Sequence, residues 1–214
     1  LAKVVVEQAQ TAPTGGAETR RRIMVVALEL FAAQGYAGTS IRDITDRMGL
    51  TKAALYYHFE SKEQILDAVT EPLRADFSAL DEMAGRHPVP PAEEILARLV
   101  DILSRRVALI RTVMADPTAH PRHHPSSEVK EHLDRLAAAL AADSSGPALV
   151  RARCALGAAQ FGAFATASSA AAADPERARP PDAVRTERIF AGSEHLLSVD
   201  ERTEIVAAAL RALG

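Results

Sequence analysis

Thr39, Ser40 and Thr51 stand where short helices would begin, and cationic side chains surround them: Arg20, Arg21, Arg22, Arg42, Arg47, Lys52 and Lys62. That combination is chemistry for anions. A helix N-terminus offers unsatisfied backbone N–H groups and the positive end of the helix dipole, so a phosphate oxygen is stabilised there. Guanidinium and ammonium groups add charge-assisted hydrogen bonds. Acidic residues nearly balance these cations: Glu18, Glu29, Asp43, Asp46, Glu60 and Glu63. The whole chain carries a net charge of −3 and a pI near 6.2. Phosphate binding here has to rest on placement more than on bulk charge.

Other chemistries find less support. His120, His123 and His124, with Cys154 or His132 as further donors, raise a metal reading. Their H-x-x-H-H spacing in a proline-broken loop is no recognised ligand pattern, and no C-x-x-C occurs. A solvated loop is the favoured reading, with no metal and no cofactor. No glycine-rich phosphate loop, Ser-His-Asp order or H-E-x-x-H motif is present, so an enzyme is not expected. Cys154 is the single cysteine of the sequence. That excludes an internal disulfide and fits a reducing cytoplasm, and no charged-then-apolar signal segment is read. Residues 154–173 are uncharged and long enough to span a bilayer, but contain one Leu and two Phe among Ala, Gly, Ser, Thr and Gln. Insertion needs more large apolar side chains than that, so a helix buried in protein is expected, not a membrane span.

The elements that position the candidate anion-binding residues are helices. The 214 residues are 48% hydrophobic but only 4% aromatic, and rich in Ala, which favours helix over sheet. An all-α fold is predicted. Ile23, Ala27, Leu30 and Phe31 form the apolar stripe of a helix over about 18–35, ended by Gly35 and Gly38. Thr39 or Ser40 caps a second over about 40–47, with Ile41, Ile44 and Met48 on one face. Gly49 makes the turn and Thr51 caps a third over about 51–58. Ser61 with Gln64 forms a capping-box pattern opening a long fourth helix, about 61–85, which contains Pro72. Two short helices joined through a glycine form a helix-turn-helix, the unit that reads a DNA groove. Beyond it, one helix starts near Pro91 and either runs to Met114 or breaks near Ser104–Arg106. Residues 116–125 read as a loop, Ser126 or Ser127 as the cap of the next helix, and 143–147 as a turn. A long helix then runs to about 173, a loop covers 174–182, a short helix covers 184–190, and the last helix covers 199–213. The domain reading is a flexible leader at 1–16, the helix-turn-helix domain at 17–62 and a helical domain at 63–214.

The blocks ALELFAAQGYAGTSIRDIT, MGLTKAALYYHF and SKEQIL resemble, at this spacing, the N-terminal DNA-binding domain of TetR-family transcriptional regulators. The resemblance covers roughly a quarter of the chain and is highly specific in that segment. It implies that the third helix enters the major groove, with Arg42, Lys52, Ala53, Ala54, Tyr56 and Tyr57 at positions where members touch DNA. Arg42 and Lys52 suit guanine O6 or N7, the arginine bidentately. Ala53 and Ala54 are small enough to approach a thymine methyl. Thr39, Ser40, Thr51, Tyr56, Tyr57, His58 and Lys62 suit phosphate oxygens, contacts that fix register without reading sequence. Alternatives stand beside these roles: Tyr56 or Tyr57 packing the small domain, Arg47 paired with Asp43 or Asp46, and Arg20–Arg22 as a solvated helix start.

The resemblance also implies a C-terminal domain that dimerises and binds a small-molecule effector. Val150, Cys154, Gly157, Phe161, Phe164 and Ser168 share one helical face, beside a face of small residues. Ile205, Val206, Ala209, Leu210 and Leu213 form the stripe of the last helix. These two helices are expected to pair with their copies as a four-helix bundle, which suits operator half-sites roughly 34–36 Å apart. An effector pocket is expected among Met83, Leu103, Val107, Ile110, Met114, Phe161 and Phe164, with Gln160, Cys154 or a histidine as polar handle; core packing is the alternative for each. The expected function is a ligand-responsive, homodimeric transcriptional regulator of a double-stranded DNA operator, a repressor as the family usually is. The alternative is a constitutive DNA-binding or architectural protein without an effector.

Overall fold

A computed structural model describes residues 15–114, 125–141, 146–173, 183–191 and 197–214. Among them are nine helices and no strand: α1 Gly15–Gln34, α2 Ile41–Met48, α3 Lys52–Tyr56, α4 Lys62–Ala84, α5 Ala92–Met114, α6 Pro125–Leu140, α7 Gly146–Ala173, α8 Ala183–Ala191 and α9 Val199–Leu213. The all-α expectation holds. Helix α1 begins at Gly15, inside the expected leader, whose first fourteen residues lie outside the described ones. The expected loops at 116–125 and 174–182 lie almost wholly or wholly outside them too, as do His120, His123 and His124.

The first three helices pack around Ile23, Ala27, Leu28, Phe31, Ile44, Leu55 and Phe59, all buried. Helix α4 leaves this small domain and continues its apolar stripe of Ile65, Leu66, Val69, Leu73, Phe77 and Leu80 into the larger one. There it packs on α5 and α6. Pro72 does not break it. Proline has no N–H to donate and displaces the preceding turn. Just upstream, the Thr70 hydroxyl donates to Leu66 O at 3.0 Å, and the Arg74 guanidinium to Asp67 O at 2.6 Å.

Helix α5 runs unbroken, which resolves the choice left open at Ser104–Arg106. Ser104 is buried with its hydroxyl on Asp101 O at 2.9 Å. Arg106 is buried too, and its charge is met on two sides. Its Nε donates to Asp76 Oδ2 on α4 at 2.8 Å, and its Nη1 to the Ile189 and Phe190 carbonyls at 3.2 and 2.6 Å. Those carbonyls belong to the last turn of α8, where a cation also meets the negative end of the helix dipole.

Helix α6 begins at Pro125, one residue before the expected serine caps. Helix α7 packs on α5, α6 and α9. Its inward face is Ala152, Ala155, Leu156, Ala159, Ala163 and Ala167, all buried. Such a face lets helices approach closely: a Cβ at Gly162 would lie 3.1 Å from Ile205 Cγ2 of α9. Ile205, Val206 and Ala209 are consequently buried within the protomer, while Leu210 and Leu213 of the same stripe are half-buried. No helix among the described residues is long and apolar enough to cross a membrane.

Candidate nucleic-acid interface

Local hydrogen bonds place the reading unit. Ser40 caps α2: its hydroxyl accepts from Asp43 N at 3.2 Å, and its own N–H donates to Asp43 Oδ2 at 2.7 Å, a reciprocal capping box. Those bonds from Ser40's backbone N–H and hydroxyl hold the Asp43 carboxyl below its usual range. Gly49 ends α2 at φ +65°, a left-handed conformation that costs a side-chain-bearing residue energy. Leu50 N–H then reaches back to Thr45 O at 2.9 Å. The Thr51 hydroxyl caps α3 by accepting from Ala54 N at 3.1 Å.

Helix α3 is shorter than expected, but backbone bonds from Tyr57 to Ala53 and from Phe59 to Leu55 carry the helical path beyond Tyr56. Leu55 and Phe59 anchor it in the core. The opposite face turns outward: Thr51, Lys52, Ala53, Tyr56 and Tyr57 are all exposed, while Ala54 and His58 are half-buried. Tyr57 is 85% exposed, which removes the alternative that it packs the small domain. It touches the His58 ring edge-on at 5.2 Å. Arg42 on α2 is exposed and pairs with Asp46, 3.4 Å away. Arg47 lies 4.0 Å from Glu29, not against Asp43 or Asp46.

Two expected phosphate ligands are turned inward. Thr39 is buried, its hydroxyl donating to Gly35 O at 2.8 Å and its N–H to Tyr36 O at 3.2 Å. Ser40, not Thr39, is the helix cap. Lys62 donates to Tyr36 O and Thr39 O, both at 2.8 Å, and its Nζ sits 4.1 Å from the Tyr36 ring centroid. It staples the α1–α2 loop. Ser61 caps α4, accepting from Gln64 N at 3.3 Å, but the Gln64 side chain accepts from Glu60 N instead of closing the box on Ser61.

Of the basic cluster on α1, Arg20 lies over the Phe59 ring at 4.3 Å. Arg21 chelates Glu18 at 2.7 and 3.1 Å and also reaches Glu187 of α8 at 2.7 Å. Arg22 is exposed. The reading of residues 20–22 as a merely solvated start does not describe Arg20 or Arg21. Sequence reasoning missed Glu187, Arg106 and Asp76. Nothing in the local pattern pairs residues so far apart.

The expected effector-pocket residues divide between the core and the surface. Leu103, Val107 and Ile110 are buried in the common core, and Met83 and Phe164 pack against it. Gln160 is half-buried, and the Met114 side chain lies outside the described residues. Cys154 and Phe161 are on the outer face of α7, Phe161 76% exposed. At about 100° per residue they point away from the alanine face that packs inward. An open groove of about 410 Å³ lies elsewhere, between α5 and α9, lined by Ala97, Asp101, Arg202, Val206 and Leu210 among others.

Residues 23–69 match the family described as bacterial regulatory proteins, tetR family. Among curated relatives, the HTH-type transcriptional repressor KstR2 of Rhodococcus jostii (strain RHA1) is 31% identical over 99 residues, 46% of this chain and 43% of that protein. The chain thus spans less than half the length of such relatives. Among solved structures, a transcriptional regulator from Aquifex aeolicus VF5 superposes with a TM-score of 0.55 at 22% identity, covering 82% of this chain and 97% of that one. FadR from Bacillus subtilis in complex with stearoyl-CoA superposes with a TM-score of 0.50 at 15% identity, covering 83% and 99%. With the capped helix-turn-helix and its outward α3 face, these likenesses identify residues 23–69 as a DNA-binding domain of the tetR family of bacterial regulatory proteins, and the all-helical second domain shares the fold of such regulators.

Proposed function

We propose that the protein is a homodimeric, sequence-specific DNA-binding repressor released from its operator by a small molecule. The observation that carries this reading is the outward face of α3. Lys52, Ala53, Tyr56 and Tyr57 are exposed on a helix whose other side is locked into the core by Leu55 and Phe59. A small domain gains nothing in stability from presenting two tyrosines to water, whereas a groove-reading helix needs hydroxyl, ammonium and small apolar groups there. Arg42 adds a bidentate donor, and Ser40 and Thr51 place helix N-termini beside it. The inward Lys62 and Thr39 are not assigned phosphate contacts.

Dimerisation is supported by the outer face of α7, where Val150, Cys154, Gly157 and Phe161 are exposed in helical register. An apolar stripe of that kind is unusual on an isolated protomer, and two reading heads suit a two-fold operator. Ligand response is supported by α4, one continuous helix from the reading head to the packed core of the second domain. A protein of similar fold, FadR from Bacillus subtilis, was crystallised with stearoyl-CoA, which supports this part of the reading. An effector that couples to operator affinity by about 1–3 kcal/mol would suffice for partial release.

The test is selection of duplexes from a random-sequence library by the full chain, followed by affinity measurements on the winner with a panel of metabolites. Enrichment of a two-fold-symmetric site by a dimer, and weakening by at least one compound, is the expected result. A monomer, or a dimer with no preferred sequence, would falsify the reading. A preferred site whose affinity no compound moves would favour the constitutive alternative.

A further inference from the structure

We infer that α8 is a second strut for the reading head, and that Arg21 and Glu187 are the pair through which it acts on DNA binding. The inference rests on the DNA-binding reading above. A domain joined to another through a single helix keeps rotational freedom about that helix. Here α1 of the reading head also packs on α5 and α8. At the α8 contact, Arg21 Nη1 donates to Glu187 Oε1 at 2.7 Å, while its Nε and Nη2 hold both oxygens of Glu18. The guanidinium is thus presented in one orientation by its own helix before it meets α8, so little freedom is lost on pairing.

The far end of the strut is fixed by a buried charge. Arg106 grips the Ile189 and Phe190 carbonyls at the end of α8 and, through Nε, Asp76 of α4. Glu187 lies within a turn of those carbonyls, and Thr186 and Ile189 bury the same helix. One arginine therefore joins α4, α5 and α8, and α8 carries the connection on to α1. The two ends differ in strength. Arg106 is enclosed, whereas Arg21 and Glu187 are each about half exposed, with side chains 46% and 49% accessible. The outer pair is the weak joint, strong enough to bias the head's orientation and weak enough to yield.

Loosening it should widen the range of head orientations and shrink the fraction with the spacing an operator requires. The experiment uses the full chain and the duplex that the unmodified protein itself selects from a random-sequence library. Failure to select any duplex would count against the DNA-binding reading, separately from the strut. Given a selected duplex, Glu187→Gln and Arg21→Gln should each weaken binding about threefold to tenfold, since the dimer loses two such joints. The double variant should be no weaker than either single one, because the pair acts as a unit. Glu18→Gln, which leaves the α8 contact in place and loosens only the orientation of the Arg21 guanidinium, should weaken binding less than either of those single variants. The slope of log affinity against log salt should not change. If instead Arg21 contacts phosphate directly, Arg21→Gln would lower that slope by about one and Glu187→Gln would leave binding unchanged or tighten it. Either of those results, or losses that multiply in the double variant, overturns the strut.

Discussion

The ammonium of Lys62 lies 4.1 Å from the centroid of the Tyr36 ring and donates to that same residue's carbonyl oxygen at 2.8 Å. With its second bond to Thr39 O, it ties the first residue of α4 to the loop between α1 and α2. The long helix therefore engages the reading unit at its very start. Motion of α4 would be passed to the base of α2 through one side chain, in addition to the shared apolar core.

Lys62→Ala should destabilise the small domain by roughly 1–3 kcal/mol, the range for charged donors lost from semi-buried carbonyls. Denaturant unfolding measures it. The salt dependence of operator affinity should stay the same in this variant. A slope lowered by one whole phosphate would restore the phosphate role expected from the sequence.

Arg42 is 76% exposed and pairs with a surface carboxylate, Asp46, one turn away. Such a pair contributes little to folding. Arg42→Ala should therefore leave stability within about 0.5 kcal/mol while relaxing base preference at one position of each half-site, at a cost of about 1–3 kcal/mol there. Sequencing of duplexes enriched from a random library reads both the position and the loss.

Phe161 projects from the outer face of α7 with Val150 and Cys154. Phe161→Asp should leave helix content and the apparent monomer fold intact but shift the dimer towards monomer, as followed by sedimentation over a dilution series. It should also weaken operator binding, since a single head makes half the contacts. Undiminished dimerisation would move the interface to another face.

Asp43 should make the α2 cap pH-dependent. Its carboxyl accepts from Ser40's N–H and hydroxyl and is held below the usual 3.8. A depressed folded-state pKa means the contribution is complete above the unfolded value and is lost as pH falls through the folded one. Stability should be insensitive to this group at neutral pH and decline only below about pH 4. Asp43→Asn should lower stability at pH 7 and narrow its gap to the parent at acid pH, as thermal melts at both conditions would register.

The helix boundaries of the reading head were legible because the bonds that set them are local. Ser40 reaches Asp43, Thr51 reaches Ala54 and Ser61 reaches Gln64, each three residues on. Capping chemistry of that reach is written directly into residue order. The apolar stripes of α1 and α4 were readable for the same reason, since helical period alone decides which side chains share a face. The direction in which a face turns is another matter. Periodicity put Cys154 and Phe161 together, but it took the packing of α7 on α5 and α9 to send the alanine face inward and these two outward. Whether Lys62 meets a phosphate or a loop carbonyl, and whether Arg106 breaks α5 or is buried in it, depends on partners 23 to 84 residues distant. Such contacts form only once the chain has condensed. Residue order thus determined the helices, their caps and the reading motif; tertiary packing decided which of the cations were left facing outward, because desolvating a charge is tolerable only where distant groups have been brought together to receive it.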